Sequence, residues 1–139
     1  MLGRKTFTPD EIEGARRAQH DHLAAVRDAM DALGAGPVRD ALERHATTTG
    51  LLALDRPFVH RVRLVTGKDP NPLNEVELLV EGLLDHGGVL TTNNVVKYVP
   101  EKTVLGIEPG ARIALTADDL ERLGTAFFAE LEKRFHTDA

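Results

Sequence analysis

The chain has 139 residues, 42% of them hydrophobic and 28% charged, which is the composition of one ordinary globular domain. Its formal net charge of −5 argues against a nucleic-acid partner, because a nucleic-acid-binding protein needs a basic face to displace counterions. It contains neither cysteine nor serine, which excludes disulfides, thiolate catalysis, cysteine-ligated zinc and serine-nucleophile hydrolysis.

Nothing in the sequence predicts a membrane partner or export. No apolar run approaches the ~20 residues needed to span a bilayer, and the basic N-terminus has no apolar core behind it. We therefore expect a cytoplasmic protein.

The N-terminal part predicts a flexible leader, residues 1–7, followed by a single globular domain, residues 8–139. Thr8 and Glu11 have the spacing of a capping box, with a proline between them at the first helical position. A helix over 9–33 follows, ended by glycines. Its apolar residues recur at helical spacing: Ile12, Leu23, Val26, Met30 and Leu33.

A second helix begins at Pro37. Residues 45–50, with three threonines and a glycine, are poor helix sequence, so we expect this helix to be imperfect or bent. Asp55 is placed to cap a third element. The apolar spacing within 58–65 favours a short helix that ends at Gly67, although the β-branched residues there leave a strand as the alternative.

A fourth helix is predicted after a loop, with Asn71 or Asn74 as its cap. Its wide apolar stripe indicates the most buried helix of the fold: Leu73, Val76, Leu79, Val80, Leu83 and Leu84. Thr116 caps a last helix. The last helix has one apolar seam: Leu120, Leu123, Phe127, Leu131 and Phe135.

Between these two helices the pattern changes to short β-branched runs at 95–99, 104–107 and 112–115, separated by turn residues. They predict a small antiparallel β-hairpin or meander. The expected fold class is therefore α+β, mainly α, with about five helices packed as a bundle and the hairpin before the last helix.

The stretch 55–76 is the most polar part of the chain and joins two apolar segments. Its candidate ligand-binding residues are Asp55, His60, Arg61, Lys68, Asp69, Asn71, Asn74 and Glu75. One interpretation is a structural bracket, in which Asp55 and the asparagines cap helices. A second is a pocket at His60, Asn71 and Asn74 that binds a small ligand, an anion or a metal, with His60 as candidate metal ligand. A third is an acid–base or metal-assisted enzyme that uses His60 with Asp55 or Glu75.

Known cofactor motifs do not fit this stretch. Thr66-Gly67-Lys68 is similar to the end of a phosphate-binding loop, but Val62 stands where the first glycine is needed and Asp69 where the magnesium-binding hydroxyl is needed. No dinucleotide-binding glycine pattern follows a strand. The sequence therefore indicates no particular cofactor.

Four segments resemble a family of small uncharacterised bacterial proteins: LDRPFVHR, VTGKDPNPLNEVELL, KYVPEKTVLGIEPGARIALT and AFFAELEKRF. The resemblance covers nearly the whole chain from residue 51 onward, and its motif is D-x-x-F-V-H-R followed by G-K-D-x-N-P-L-N-E-V. The chain departs from it at Pro70, where the family tends to glycine, and at 47–49, where it tends to aromatic and asparagine residues. The resemblance supports the predicted fold and implies no activity.

Taken together, these features lead us to expect a non-enzymatic protein that forms homo-oligomers. Self-association is expected from the wide apolar stripes of the fourth and last helices and from the exposed edge that a short hairpin presents.

Overall fold

The computed structural model describes residues 3–136, which form five α-helices. In chain order these are α1 (Pro9–Leu33), α2 (Pro37–Asp55), α3 (Arg63–Thr66), α4 (Pro72–Asp85) and α5 (Ala117–Arg134). Single 3₁₀ turns lie at Arg56–Phe58 and Pro100–Lys102. α1 packs against α2 and α5, and α4 packs against the same two helices. α2 and α5 therefore lie in the middle of a helical bundle.

Three of the helix caps predicted from local spacing are confirmed: Thr8, Asn71 and Thr116. The Thr8 hydroxyl accepts a hydrogen bond from the Glu11 amide (3.1 Å) at the start of α1. The Glu11 carboxylate pairs with Arg4 instead of completing the predicted capping box. Asn71 caps α4, and Thr116 forms a complete capping box with Asp119 at the start of α5. These caps fix where α1, α4 and α5 begin, because each satisfies amides that the helix itself leaves unpaired.

α2 is one uninterrupted helix through residues 45–50, where the sequence predicted an imperfect or bent one. The hydroxyls of Thr47 and Thr48 donate to carbonyls one turn earlier (2.8 and 3.0 Å), so both remain compatible with the helix. Gly50 lies at a close contact between helices: a Cβ there would stand 2.6 Å from Leu120 Cδ2 and 2.9 Å from His22 Nε2. The packing that this glycine allows offsets its unfavourable helix propensity.

The single short helix predicted within 58–65 is wrong. The chain makes a 3₁₀ turn at Arg56–Phe58, becomes extended at Val62 and only then forms α3, which ends at Gly67 as expected. The extended part pairs with the N-terminal segment: the Arg4 amide donates to the His60 carbonyl (2.7 Å) and the Val62 amide to the Arg4 carbonyl (3.0 Å). A partner from outside the segment thus determines its conformation.

Residues 3–7, predicted as part of a flexible leader, pack against the rest of the chain. Phe7 is fully buried, and its ring meets Phe58 edge-on at a centroid distance of 4.9 Å. Its amide donates to the Phe135 carbonyl (2.8 Å) at the end of α5. Residues 1 and 2 lie outside the described part.

The predicted β-hairpin is wrong, and with it the α+β class. Residues 3–136 contain no β-sheet, only isolated bridges between Arg4 and Arg61 and between Val89 and Arg112. The amides that a hairpin would pair donate elsewhere. Those of Val104 and Leu105 donate to the carboxylate of Glu75 on α4 (2.8 and 3.0 Å).

The same holds at the start of the predicted hairpin. The Asn93 side chain accepts from the amides of Val95 and Val96 (2.9 Å each), and the Lys97 amide donates to the Lys68 carbonyl (2.8 Å). Side chains and a distant loop replace the neighbouring strand, so these β-branched runs become an irregular loop that covers α4.

The two apolar stripes from which self-association was predicted face the chain's own core. All five seam residues of α5 are buried, as are Leu73, Val76 and Leu79 of α4, although Leu84 is exposed. The described residues form no hairpin edge either. Neither feature from which self-association was predicted is therefore available on the surface, and self-association stays a prediction. No helix within the described residues is long and apolar enough to cross a membrane.

Candidate functional site

Asp55 and Arg61 form a buried ion pair, Nη1 to Oδ1, at 2.9 Å, with side-chain exposures of 11% and 4%. The Arg61 guanidinium also donates to the carbonyls of Phe58 (3.0 Å) and Leu73 (3.2 Å) and lies 5.4 Å from the ring centroid of Phe127. Asp55 makes no cap hydrogen bond, so its predicted role as a helix cap is wrong. The pair instead joins the end of α2, the 56–58 turn, α4 and α5.

The two asparagines hold the loop before α4. The Asn71 oxygen accepts from the amides of Leu73 (3.0 Å) and Asn74 (3.1 Å), while its nitrogen donates to the carbonyls of Thr66 and Asp69 (3.1 Å each). Asn74 donates to the Asp69 carbonyl (2.8 Å) and accepts from Arg63 Nη1 (2.7 Å). Both amide groups are thereby taken up within the chain.

Asp69 ties this loop to the C-terminal end of α5. Its carboxylate lies 2.9 Å from Arg134 Nη2, and Arg134 also donates to the Thr66 carbonyl (2.8 Å). The hydrogen bond from Arg134 holds the pKa of Asp69 below its ordinary value. The carboxylate is half exposed, so water screens this pair and its contribution to stability is small.

Glu75 is a buried carboxylate, 3% exposed, on the face of α4 that meets the 104–105 loop. Burial raises the pKa of Glu75 above its ordinary value, although the hydrogen bonds from the amides of Val104 and Leu105 oppose that shift. Its acceptor oxygens are occupied by main chain, which explains why a carboxylate is tolerated in this position.

Three of the predicted site residues lie exposed: His60, Lys68 and Asp69. Within residues 3–136 no hydrogen bond or ion pair joins the His60 ring to Asp55, Glu75 or the asparagines. The acid–base pair of the enzyme alternative is therefore not assembled in this structure. The described residues also hold no group of three His, Asp or Glu side chains placed to bind a metal ion.

An open groove lies elsewhere, between α1 and α5, with a volume of about 600 Å³. Its buried floor consists of Gln19, Leu23, Gly124 and Phe128, and its walls include Ala24 and Ala129. Gln19 is only 8% exposed, and its Nε2 has no hydrogen-bond partner among the described residues. A second groove of about 480 Å³ lies where the end of α1 meets the starts of α2 and α5. Residues 55–76 line neither groove.

Sequence reasoning missed the first groove because its signal is split between two helices. Small residues on α1 and on α5 become one concavity only once the helices are packed side by side. A glutamine within the apolar repeat of α1 was the available signal, since it follows Ile12 by seven residues and precedes Leu23 by four, the spacing of one helix face.

Comparison of the chain with protein-family models, curated proteins and solved structures gives no match. The resemblance to a bacterial family therefore stays a prediction that depends on the quoted motifs.

Proposed function

We propose that this chain is a non-enzymatic protein that acts by binding, and that residues 55–76 are a structural bracket. The bracket is defined as the six residues of that stretch whose side chains connect separate elements: Asp55, Arg61, Asp69, Asn71, Asn74 and Glu75. The observation that carries the proposal is that these polar groups are engaged with main chain or with a partner inside the chain.

The bracket supplies hydrogen-bond partners for main chain that does not form a regular helix. The chain passes from α2 to α4 through two prolines and an extended residue, so its amides and carbonyls cannot pair within one helix. Asn71 and Asn74 supply side-chain partners for that main chain, and Arg61 donates to the carbonyls of Phe58 and Leu73. Within this stretch, Arg61 Nε and Thr66 Oγ1 are the buried side-chain atoms without a hydrogen-bond partner among the described residues, so little buried polar capacity is left for a ligand.

The proposal also offers a structural explanation for the motif on which the resemblance to the bacterial family depends. The motif quoted for the bacterial family contains all six bracket residues together with the exposed His60 and Lys68, so on this proposal most of its polar positions specify folding and not catalysis. It further places binding outside the motif, where the two open grooves lie.

The test compares Asn74→Ala with His60→Ala by urea unfolding followed by circular dichroism. Asn74→Ala removes the hydrogen bonds that this buried side chain makes with the carbonyls of Gly67 and Asp69 and with Arg63, so we expect the free energy of unfolding to fall by about 1–3 kcal/mol. His60→Ala removes an exposed side chain, so we expect a change within about 0.5 kcal/mol.

The reverse order would overturn the proposal. A His60→Ala variant as destabilised as Asn74→Ala would show that the His60 side chain has a structural role that the bracket does not include. Native mass spectrometry of the purified wild type provides the second arm: a retained small molecule that disappears in His60→Ala would restore the pocket or enzyme interpretation.

A further inference from the structure

Asp69 and Pro70 form the only Asp-Pro junction in the chain, and such a bond is more labile to acid than other peptide bonds. An aspartate carboxyl can attack its own main-chain carbonyl carbon, because the product is an unstrained cyclic anhydride. The proline nitrogen has no hydrogen in the peptide and leaves as a secondary amine, which accepts a proton readily. The junction lies in the loop before α4, where the Asp69 carboxyl is half exposed, so water has access to it.

The carbonyl oxygen of this bond accepts hydrogen bonds from two side-chain amides. Asn74 Nδ2 lies 2.8 Å from it and Asn71 Nδ2 lies 3.1 Å from it, which are the distances of an oxyanion hole. The orientation of both amides is fixed. The Asn71 oxygen accepts from the main-chain amides of Leu73 and Asn74, and the Asn74 oxygen accepts from Arg63, so the two NH₂ groups face the Asp69 carbonyl.

The attacking group lies next to the same donor. Asn71 Nδ2 is also 3.3 Å from Asp69 Oδ1. One nitrogen therefore contacts both the carboxyl oxygen and the carbonyl oxygen that becomes negative when the carboxyl attacks. Holding two reacting groups together in this way lowers the barrier of an intramolecular reaction.

Arg134 on α5 keeps the carboxyl ionised. Its Nη2 lies 2.9 Å from Asp69 Oδ2 and its Nη1 lies 3.3 Å from Oδ1, and it is also paired with Glu130. Lys68, the exposed chain neighbour, is the other charged residue of the loop. The hydrogen bond from Arg134 lowers the pKa of Asp69, so the neutral carboxyl, whose proton the leaving nitrogen needs, is scarce at neutral pH.

We propose that the chain cleaves its own Asp69–Pro70 bond at mildly acidic pH. An Asp69 carboxyl oxygen bonds to the Asp69 main-chain carbon, the bond from that carbon to the Pro70 nitrogen breaks, and the carboxyl proton moves to that nitrogen. Water then hydrolyses the cyclic anhydride, so the products are residues 1–69 and 70–139. This reaction occurs once per chain and has no separate substrate, so it goes beyond the proposed binding function and does not depend on it.

The experiment incubates the full-length protein from about pH 4 to pH 7 and follows it by denaturing mass spectrometry. Denaturing conditions are needed because α2 packs against α4 and α5 across the cut. We expect two fragments whose masses sum to the intact mass plus one water. Above the folded pKa of Asp69, the rate should rise about tenfold for each pH unit of acidification, and it should exceed the rate in urea-unfolded protein at the same pH.

Two kinds of variant test the chemistry of the bond. Pro70→Ala and Asp69→Asn should abolish cleavage, because the first removes the leaving group and the second removes the carboxyl. The Glu108–Pro109 bond is the internal control and should stay intact, since the amides of Asn71 and Asn74 do not reach its carbonyl. His60→Ala, which changes an exposed side chain of the same stretch, should leave the rate unchanged.

Two contacts of the loop should have opposite effects on the rate. Asn74→Ala removes an oxyanion donor and should slow cleavage at least about tenfold, whereas Arg134→Gln releases the carboxyl from its cation and should speed it at least about twofold. Loosening of the loop alone would change both rates in the same direction. Asn71→Asp keeps an oxygen to cap α4 but removes the other donor, so it should also slow cleavage and replaces Asn74→Ala if that variant does not fold.

Three results would overturn the inference. The first is no cleavage at the lowest pH at which circular dichroism shows the protein folded. The second is an equal rate in folded and urea-unfolded protein at that pH, which would leave only the ordinary acid lability of an Asp-Pro bond. The third is a change in the same direction for the donor variant and Arg134→Gln. None of them alters the stability comparison of Asn74→Ala with His60→Ala, so failure of this inference is distinguishable from failure of the bracket.

Discussion

At the scale of single residues, two helical glycines have opposite roles. Gly14 in α1 has open space around it, whereas a Cβ on Gly50 in α2 would overlap Leu120 and His22. We expect Gly14→Ala to raise the free energy of unfolding by about 0.5–1 kcal/mol, because alanine is the better helix former. Gly50→Ala should lower it by about 1–3 kcal/mol, because overpacking outweighs that gain.

Urea unfolding of both variants checks this prediction, and each is the control for the other. A Gly50→Ala variant as stable as Gly14→Ala would mean that α2 does not approach α1 and α5 as closely as described.

The residue scale also shows where sequence reasoning succeeds. Thr8, Asn71 and Thr116 were predicted as caps and are caps, since a cap depends only on a side chain and amides two or three residues away. Asp55 has the same local pattern, yet its carboxylate is taken by Arg61. The role of Gly50 depends on contacts with residues far away in sequence, which no local pattern contains.

At the scale of elements, the loop between α4 and α5 shows how tertiary contacts override propensity. Its β-branched runs favour strands, but the Glu75 carboxylate holds the amides of Val104 and Leu105 in place of a strand. Strand preference is in large part a preference for neighbours on a sheet. Without a second strand in place, the same residues pack on a helix instead.

The same carboxylate predicts a pH dependence. Burial raises the pKa of Glu75 in the folded chain above its unfolded value of 4.5, so the folded state binds its proton more tightly. The stability from this group is therefore fully present below that value and is lost as the pH rises through the folded pKa. We expect the stability advantage of wild type over Glu75→Gln to shrink with rising pH.

The measurement is the free energy of unfolding of both proteins from acidic to neutral pH. Taking the difference removes the contribution of Asp69, whose lowered pKa acts with the opposite sign. An advantage that grows with pH would show that the two amides stabilise the charged form of Glu75 by more than burial costs it.

At the scale of the whole molecule, one core connects all the long helices. The buried cluster runs from Phe7 through Leu51 and Leu79 to Phe127 and Phe135. The helical periodicity of the sequence predicted most of its members, since each helix has one apolar face. Periodicity could not show that residues 3–7 complete the cluster, because Phe7 lies outside any helix.

Arg61 is a buried charged side chain next to that core, 5.4 Å from the ring centroid of Phe127, and the last prediction concerns its ion pair with Asp55. Asp55→Asn removes the charge that compensates the Arg61 guanidinium, whose side chain is only 4% exposed. We therefore expect the free energy of unfolding to fall by about 3–5 kcal/mol, in one cooperative transition. Asp69→Asn is the matched control, because its pair with Arg134 is half exposed and contributes at most about 1 kcal/mol. In urea unfolding, the double variant Asp55→Leu/Arg61→Met should regain much of the loss, since it leaves no buried charge unpaired. Equal losses for Asp55→Asn and Asp69→Asn would contradict the buried position of Arg61.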